Sequence, residues 1–210
     1  VKDSTMSTFI ESQTEFIDAT FNGMSMSPEE FDAIEDWDPA YEYELIRGVV
    51  IVNPIASEGE ADPNCELGMT LRAYQVLMPQ GRCLDKTLQE RYVYLPDGSR
   101  RKADRLIWAG LDRRPHPKKE PPTIVVEFVS RAARDRKRDY DEKRQEYLGI
   151  GVKEYWVIDR FRRLMTVFRP DGAEQQIGEQ EVFHTPLLPG FELPLHRLLA
   201  LSDEWEDTEL

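Results

Sequence analysis

The stretch Thr123-Ile124-Val125-Val126-Glu127-Phe128-Val129-Ser130 decides the fold. It is apolar on both alternating faces, the pattern of a central strand covered on both sides, and so points to a layered α/β domain. Val125 and Val129 share a face with Glu127, while Ile124, Val126 and Phe128 take the other. A carboxylate in such a strand raises its own pKa, finds a cationic partner or binds a metal ion, because a bare buried charge is costly. A structural account needs a nearby Arg or Lys. A functional account needs a second carboxylate from a neighbouring strand.

Working outward, a helix is expected over about 135–149, followed by strands over 154–159 and 164–168 joined by a charged turn. Upstream, strand-like pieces cover 82–84, 90–95 and 103–108, with Pro96-Asp97-Gly98 turning between the last two. A proline- and lysine-rich loop, 115–122, leads into the buried strand. Residues 43–52 read as a turn entering a strand, with Gly48 at the bend. The spacing of Leu67, Leu71, Tyr74 and Leu77 suits an amphipathic helix over about 64–78. Ser27-Pro28-Glu29-Glu30 supplies an N-cap, a proline at the first helical position and a capping glutamate, so a short helix over 28–35 is expected. A short terminal helix falls within 191–201. The economical assignment is one mixed α/β domain over 27–201, with a polar N-terminal arm at 1–26 and an acidic tail at 202–210.

The chain has 210 residues, enough to bury a single core. Its two cysteines, Cys65 and Cys83, have no metal-like spacing and fit a reduced, cytoplasmic protein better than a disulfide scaffold. No apolar run is long enough to span a bilayer, and the acidic N-terminus lacks a hydrophobic signal core. The net charge of −13 argues at first against nucleic acid, but it is unevenly spread. Residues 1–66 carry a net −14 and residues 171–210 a net −9, whereas residues 67–170 carry +10. A basic middle can meet phosphate despite an acidic total, although mixed charges also simply coat solvated faces.

Asp104 opens the short strand Asp104-Arg105-Leu106-Ile107-Trp108, just after the basic run Arg100-Arg101-Lys102. Strands close in sequence tend to neighbour one another, so Asp104 and Glu127 can come side by side. Two adjoining carboxylates repel unless a proton or cation lies between them, and Mg²⁺ suits such a pair. The plain alternative pairs Asp104 with Arg105 or Lys102 at the surface. Tyr140, Lys143 and Tyr147 share one side of the following helix. Lys143 thereby faces inward, where it can neutralise Glu127, stabilise charge on a phosphate, or pair with Asp139 along the helix. His116, His184 and His196 have no mutual metal spacing, and no Gly-x-Ser-x-Gly elbow or phosphate-binding glycine loop is present.

The segments Tyr43-Glu44-Leu45-Ile46-Arg47-Gly48, Val125-Val126-Glu127-Phe128-Val129-Ser130, Asp139-Tyr140-Asp141-Glu142-Lys143 and Gly151-Val152-Lys153-Glu154-Tyr155-Trp156-Val157-Ile158-Asp159 carry a resemblance over about 27–201. They resemble the bacterial family of putative restriction endonucleases within the PD-(D/E)XK nuclease superfamily. That resemblance implies a restriction-endonuclease-like mixed β-sheet flanked by helices and a Mg²⁺-dependent endonuclease acting on DNA. By motif match, Asp104 and Glu127 stand as the two metal-ligating acids, Glu44 as an additional upstream acid, and Lys143 as the catalytic lysine, displaced onto the helix. Arg101, Lys102, Arg131, Arg134 and Lys137 are the expected contacts to the phosphate backbone. Because cutting both strands of a duplex takes two sites, the resemblance also points to a homodimer. Three positions depart from the pattern: Ala103 replaces the proline before the first acid, Val129 replaces the lysine of the superfamily motif, and 53–62 lacks an expected histidine. Those departures keep a second reading open, a nucleic-acid-binding or regulatory module that retains the fold without the chemistry.

Overall fold

The computed structural model describes residues 16–130 and 138–205. Strand β1 (Tyr41–Ile46) turns through Arg47 and Gly48 into β2 (Val49–Pro54). Both turn residues have positive φ, 50° and 77°, as a two-residue hairpin turn matching the twist of its strands requires. A second hairpin joins β3 (Leu84–Tyr94) to β4 (Arg100–Ala109), and Asp97 steadies its turn by accepting from the Ser99 N–H at 2.9 Å. The buried stretch forms β5 (Ile124–Phe128), all five residues of which are buried. It runs parallel to β6 (Glu154–Asp159), which continues antiparallel into β7 (Leu164–Phe168) and β8 (Glu174–Gly178). The strands pair in the order β2-β1-β4-β5-β6-β7-β8, with β3 on β4.

Strand β4 organises the sheet. β3 follows one edge of it from Leu84↔Ala109 to Tyr94↔Arg100. The opposite edge is shared, by β5 at Arg105–Ile107 and by β1 at Arg100 alone. Between those two contacts β1 and β5 part from β4, and the backbone there must find other hydrogen-bond partners.

Helix α1 (Pro28–Ala33) carries the expected cap, with Ser27 and Glu30 each receiving the other's N–H. Helix α2 (Glu58–Leu77) and helix α4 (Leu195–Asp203) cover one face of the sheet. There Leu67 and Leu71 meet Leu195, Leu198 and Leu199 over Ile124 and Val126. A π-helical turn (Arg138–Lys143) continues into α3 (Arg144–Gly149) on the other face. On that side Tyr147 packs with Val125, Leu106, Tyr155 and Val157. This is the expected single-domain mixed α/β architecture, a large sheet flanked by helices.

Several boundaries differ from the sequence expectations. Helix α2 starts at Glu58, not near 64, because Ser57 and Glu60 form a second capping box. Pro63 lies inside the helix and cannot donate to the Gly59 carbonyl, which accepts instead from Ser202 Oγ at 2.8 Å. The 82–84 piece is mostly the end of a 3₁₀ turn (Pro79–Cys83), and the strand beyond it runs unbroken to Tyr94. Part of the expected arm is core: Ile17 is buried beside Phe31, Tyr43, Leu45 and Val50, and its N–H reaches the Asp36 carbonyl at 3.1 Å. The expected tail is likewise anchored at its start, where Trp205 Nε1 donates to Asp62 at 3.1 Å. In both cases an apolar or aromatic side chain finds a neighbour remote in sequence, which local polarity does not reveal.

Candidate active site

The gap where β5 leaves β4 is filled by side chains. The register Leu106↔Val125, Arg105↔Val126, carried one step further, sets Asp104 opposite Glu127. At that point the strands separate, and the Phe128 N–H donates to Asp104 Oδ2 at 2.5 Å. The Asp104 carbonyl accepts from Asn64 Nδ2 of α2 at 2.9 Å, so the first turns of α2 brace this position. Burial pushes the Asp104 carboxyl well above its ordinary range, and the Glu127 charge pushes it further. Lys143 and the Phe128 N–H pull the other way, and Glu60 adds a smaller upward push.

Glu127 is 3% exposed and held by two residues of the helix opposite. Lys143 Nζ lies 2.9 Å from its Oε2, and the Tyr147 hydroxyl donates to its Oε1 at 3.1 Å. Lys143, also 3% exposed, sits at the junction of the π-helical turn and α3. Single π-helical turns are uncommon and concentrate at functional sites. The Tyr147 hydroxyl is raised well above its usual pKa by burial, then by the Glu127 and Glu44 charges.

Sequence reasoning thus names three groups, Asp104, Glu127 and Lys143, that the fold brings together. The surface pairing of Asp104 with Arg105 or Lys102 is not what forms. The Arg105 guanidinium turns to the α2 side, onto Asn64 Oδ1 at 2.8 Å and Thr87 Oγ1 at 3.1 Å, and burial lowers its pKa to about 10. The Lys143–Glu127 ion pair is the one a structural account anticipates. That account does not by itself call for a second acid, yet Asp104 stands beside the pair, accepting the Phe128 N–H. The side chain of Asp139, the helical alternative for Lys143, lies outside the described residues.

Glu44, on β1, is 2% exposed, and its charge reaches Tyr147. Its Oε1 accepts the Lys102 N–H at 2.8 Å, bridging β1 to β4 where the strands have parted. Arg101 Nη1 stands 3.8 Å from its Oε2. Arg101 itself is 3% exposed and grips Glu146 of α3 through two hydrogen bonds, 2.7 and 2.9 Å. Burial alone would lower its pKa, but Glu146 and Glu44 more than offset this and raise it. The expected phosphate contact at Arg101 is therefore corrected: burial among Glu44, Glu142 and Glu146 commits its guanidinium to the interior. Lys102 pairs with Glu42 at 2.8 Å and approaches Glu90 at 3.9 Å. Arg131, Arg134 and Lys137 lie outside the described residues.

Sequence reasoning set Tyr147 on the Lys143 side of the helix without giving it a part in the site, and overlooked Glu60 and Asn64. The spacing of Lys143 and Tyr147 held the signal for the first, and Ser57-x-x-Glu60 the signal for the second. Nothing local marks Asn64. Among the described residues no group of three or more His, Cys, Asp or Glu side chains could hold a metal ion. Two carboxylates suffice for Mg²⁺, which completes its shell with water and phosphate oxygens, so Asp104 and Glu127 fit that ion by donor chemistry. Among the described residues no helix is long and apolar enough to cross a membrane.

The Uma2 family, described as "Putative restriction endonuclease", matches residues 28–196. The chain belongs to the Uma2 family. No curated protein matches it. Among solved structures, the fold is similar to that of a "putative nuclease belonging to DUF820" from Anabaena variabilis. The TM-score is 0.65 at 16% identity, over 84% of this chain and 99% of that one. The Uma2 match spans every element from α1 to the start of α4, including all the acids and the lysine discussed above.

Proposed function

We propose that this Uma2 member is a Mg²⁺-dependent endonuclease that hydrolyses DNA phosphodiester bonds at the Asp104–Glu127–Lys143 cluster. The observation that carries the reading is the placement of Asp104 beside Glu127, two acids from adjacent central strands with an inward lysine. Asp104 and Glu127 would hold the ion. Bound there, it polarises a scissile phosphate and lowers the pKa of a water. Lys143, carried by a different layer from the acids, would turn from Glu127 toward the phosphoryl oxygens and stabilise the charge that builds on them. Glu44 would act by holding the β4 backbone at Lys102, two residues before Asp104. Lys102, Arg131, Arg134 and Lys137 would position the phosphate backbone, in a cytoplasmic protein whose two copies cut the two strands.

The test is cleavage of plasmid DNA with Mg²⁺ or Mn²⁺. Wild-type cleavage, abolished in Asp104→Ala and in Glu127→Ala, is the expected result; equal activity in those variants overturns the catalytic assignment. A second reading, a DNA-binding module without chemistry, is favoured by Glu127 already being engaged at both oxygens and by Val129 in the lysine position. It predicts salt-sensitive binding with no cleavage.

A further inference from the structure

We infer that Tyr147 is a positioning residue for the metal-binding carboxylate of Glu127, an inference that rests on the two-acid reading of the site. Its hydroxyl is the donor to Glu127 Oε1, at 3.1 Å, while Lys143 takes Oε2. The two helical residues are four apart and stack on one face, so a single rigid element grips both oxygens of one carboxylate. The division of labour follows from chemistry. Lys143 is a flexible cation that can leave Oε2 for a phosphate oxygen. Tyr147 is a neutral donor on a rigid ring, with nowhere else to go: it is 0% exposed and meets Tyr155 edge-on at 5.3 Å.

When Lys143 turns away, the Tyr147 hydroxyl still holds Oε1, so the carboxylate keeps its place as the ion takes Oε2. A carboxylate that ligates a metal generally needs such a partner on its other oxygen. The Tyr43 and Tyr92 hydroxyls donate to backbone carbonyls, those of Ile17 and Tyr43. Tyr147 instead uses an acid placed beside a second acid.

The test is a calorimetric titration of the full chain with Mn²⁺ alone, with melting curves on every variant. Tyr147→Phe removes only the hydroxyl and is expected to weaken Mn²⁺ binding about 10–100-fold. Leu148→Ala, which loosens the same helix against the same core without touching Glu127, should change it less than about twofold. If Tyr147→Phe melts too early to titrate, Tyr147→Met must show the same loss. Wild-type affinity in the folded tyrosine variant overturns the inference, and so does an equal loss in Leu148→Ala. Absence of any wild-type Mn²⁺ binding overturns the two-acid reading and takes this inference with it, a result distinct from both.

Discussion

The Phe128 N–H, on β5, is satisfied by the carboxylate of Asp104, on β4. A backbone donor freed by two diverging strands has thereby recruited the side chain that also lies against Glu127. The proposed function and the fold share one hydrogen bond at this point. The bond makes Asp104 hard to move, while burial and the Glu127 charge make it costly to keep ionised.

Asp104→Asn should stabilise the ion-free protein at neutral pH. The folded-state pKa of Asp104 lies above its unfolded value, so the folded state binds the extra proton. Stability from this group is therefore lost as pH rises from the ordinary carboxylate range through the raised pKa, and stays lost above it. The amide keeps an oxygen to accept from Phe128. Urea unfolding should show a gain of roughly 0.5–2 kcal/mol at pH 7 that shrinks toward zero near pH 4. A constant difference at both pH values would contradict the assignment.

Lys143→Ala should destabilise the fold by roughly 3–5 kcal/mol, because it strips a cation from the buried Glu127. Glu127→Gln with Lys143→Met should recover most of that loss, since two neutral side chains leave no bare charge. A double-mutant cycle in urea reads the coupling. Additive losses would show that the pair does not act as a pair.

Arg101→Lys should fail to replace arginine. The guanidinium reaches Glu146 through two parallel hydrogen bonds and Glu44 through a third nitrogen, a fork that an ammonium does not offer. A loss of roughly 2–3 kcal/mol in chemical denaturation is expected. Because Arg101 faces inward, the salt dependence of DNA binding should keep its slope in this variant, whereas replacing Arg131, Arg134 and Lys137 should flatten it.

Gly68→Ala sets two effects against each other. Alanine favours the α2 helix by about 1 kcal/mol. A Cβ at this position, however, would sit 2.7 Å from Arg105 Nη2 and 2.9 Å from Cζ. Arginine ends usually yield, but this one is buried and fixed by Asn64 and Thr87. Overpacking should win, with a net loss of roughly 1–2 kcal/mol and a lower melting temperature.

The sequence was most legible where structure is local. The β6 and β7 boundaries follow from short, mostly apolar runs, and the α1 start from its capping residues. It was least legible where a local rule has a local exception. Pro63 hid the first turn of α2, and the charged run Arg100–Lys102 read as surface although Arg101 is enclosed. Of the candidate site, the meeting of Asp104, Glu127 and Lys143 was anticipated from burial pattern and motif resemblance. Asn64 and Glu60 were not, because their bearing on Asp104 depends on how α2 crosses β4.

By itself, the sequence determined that Glu127 lies in a doubly covered strand and that Lys143 and Tyr147 share a helix face, since both follow from periodicities of two and 3.6 residues. Only the tertiary structure decided which charge meets which. Whether Arg101 reaches solvent or Glu146, and whether Asp104 faces water or Glu127, depends on where β1 and β5 leave β4 and how α3 lies on the sheet. Side-chain periodicity fixes a direction within one element. Electrostatic partnership is a distance between elements, and packing sets that distance.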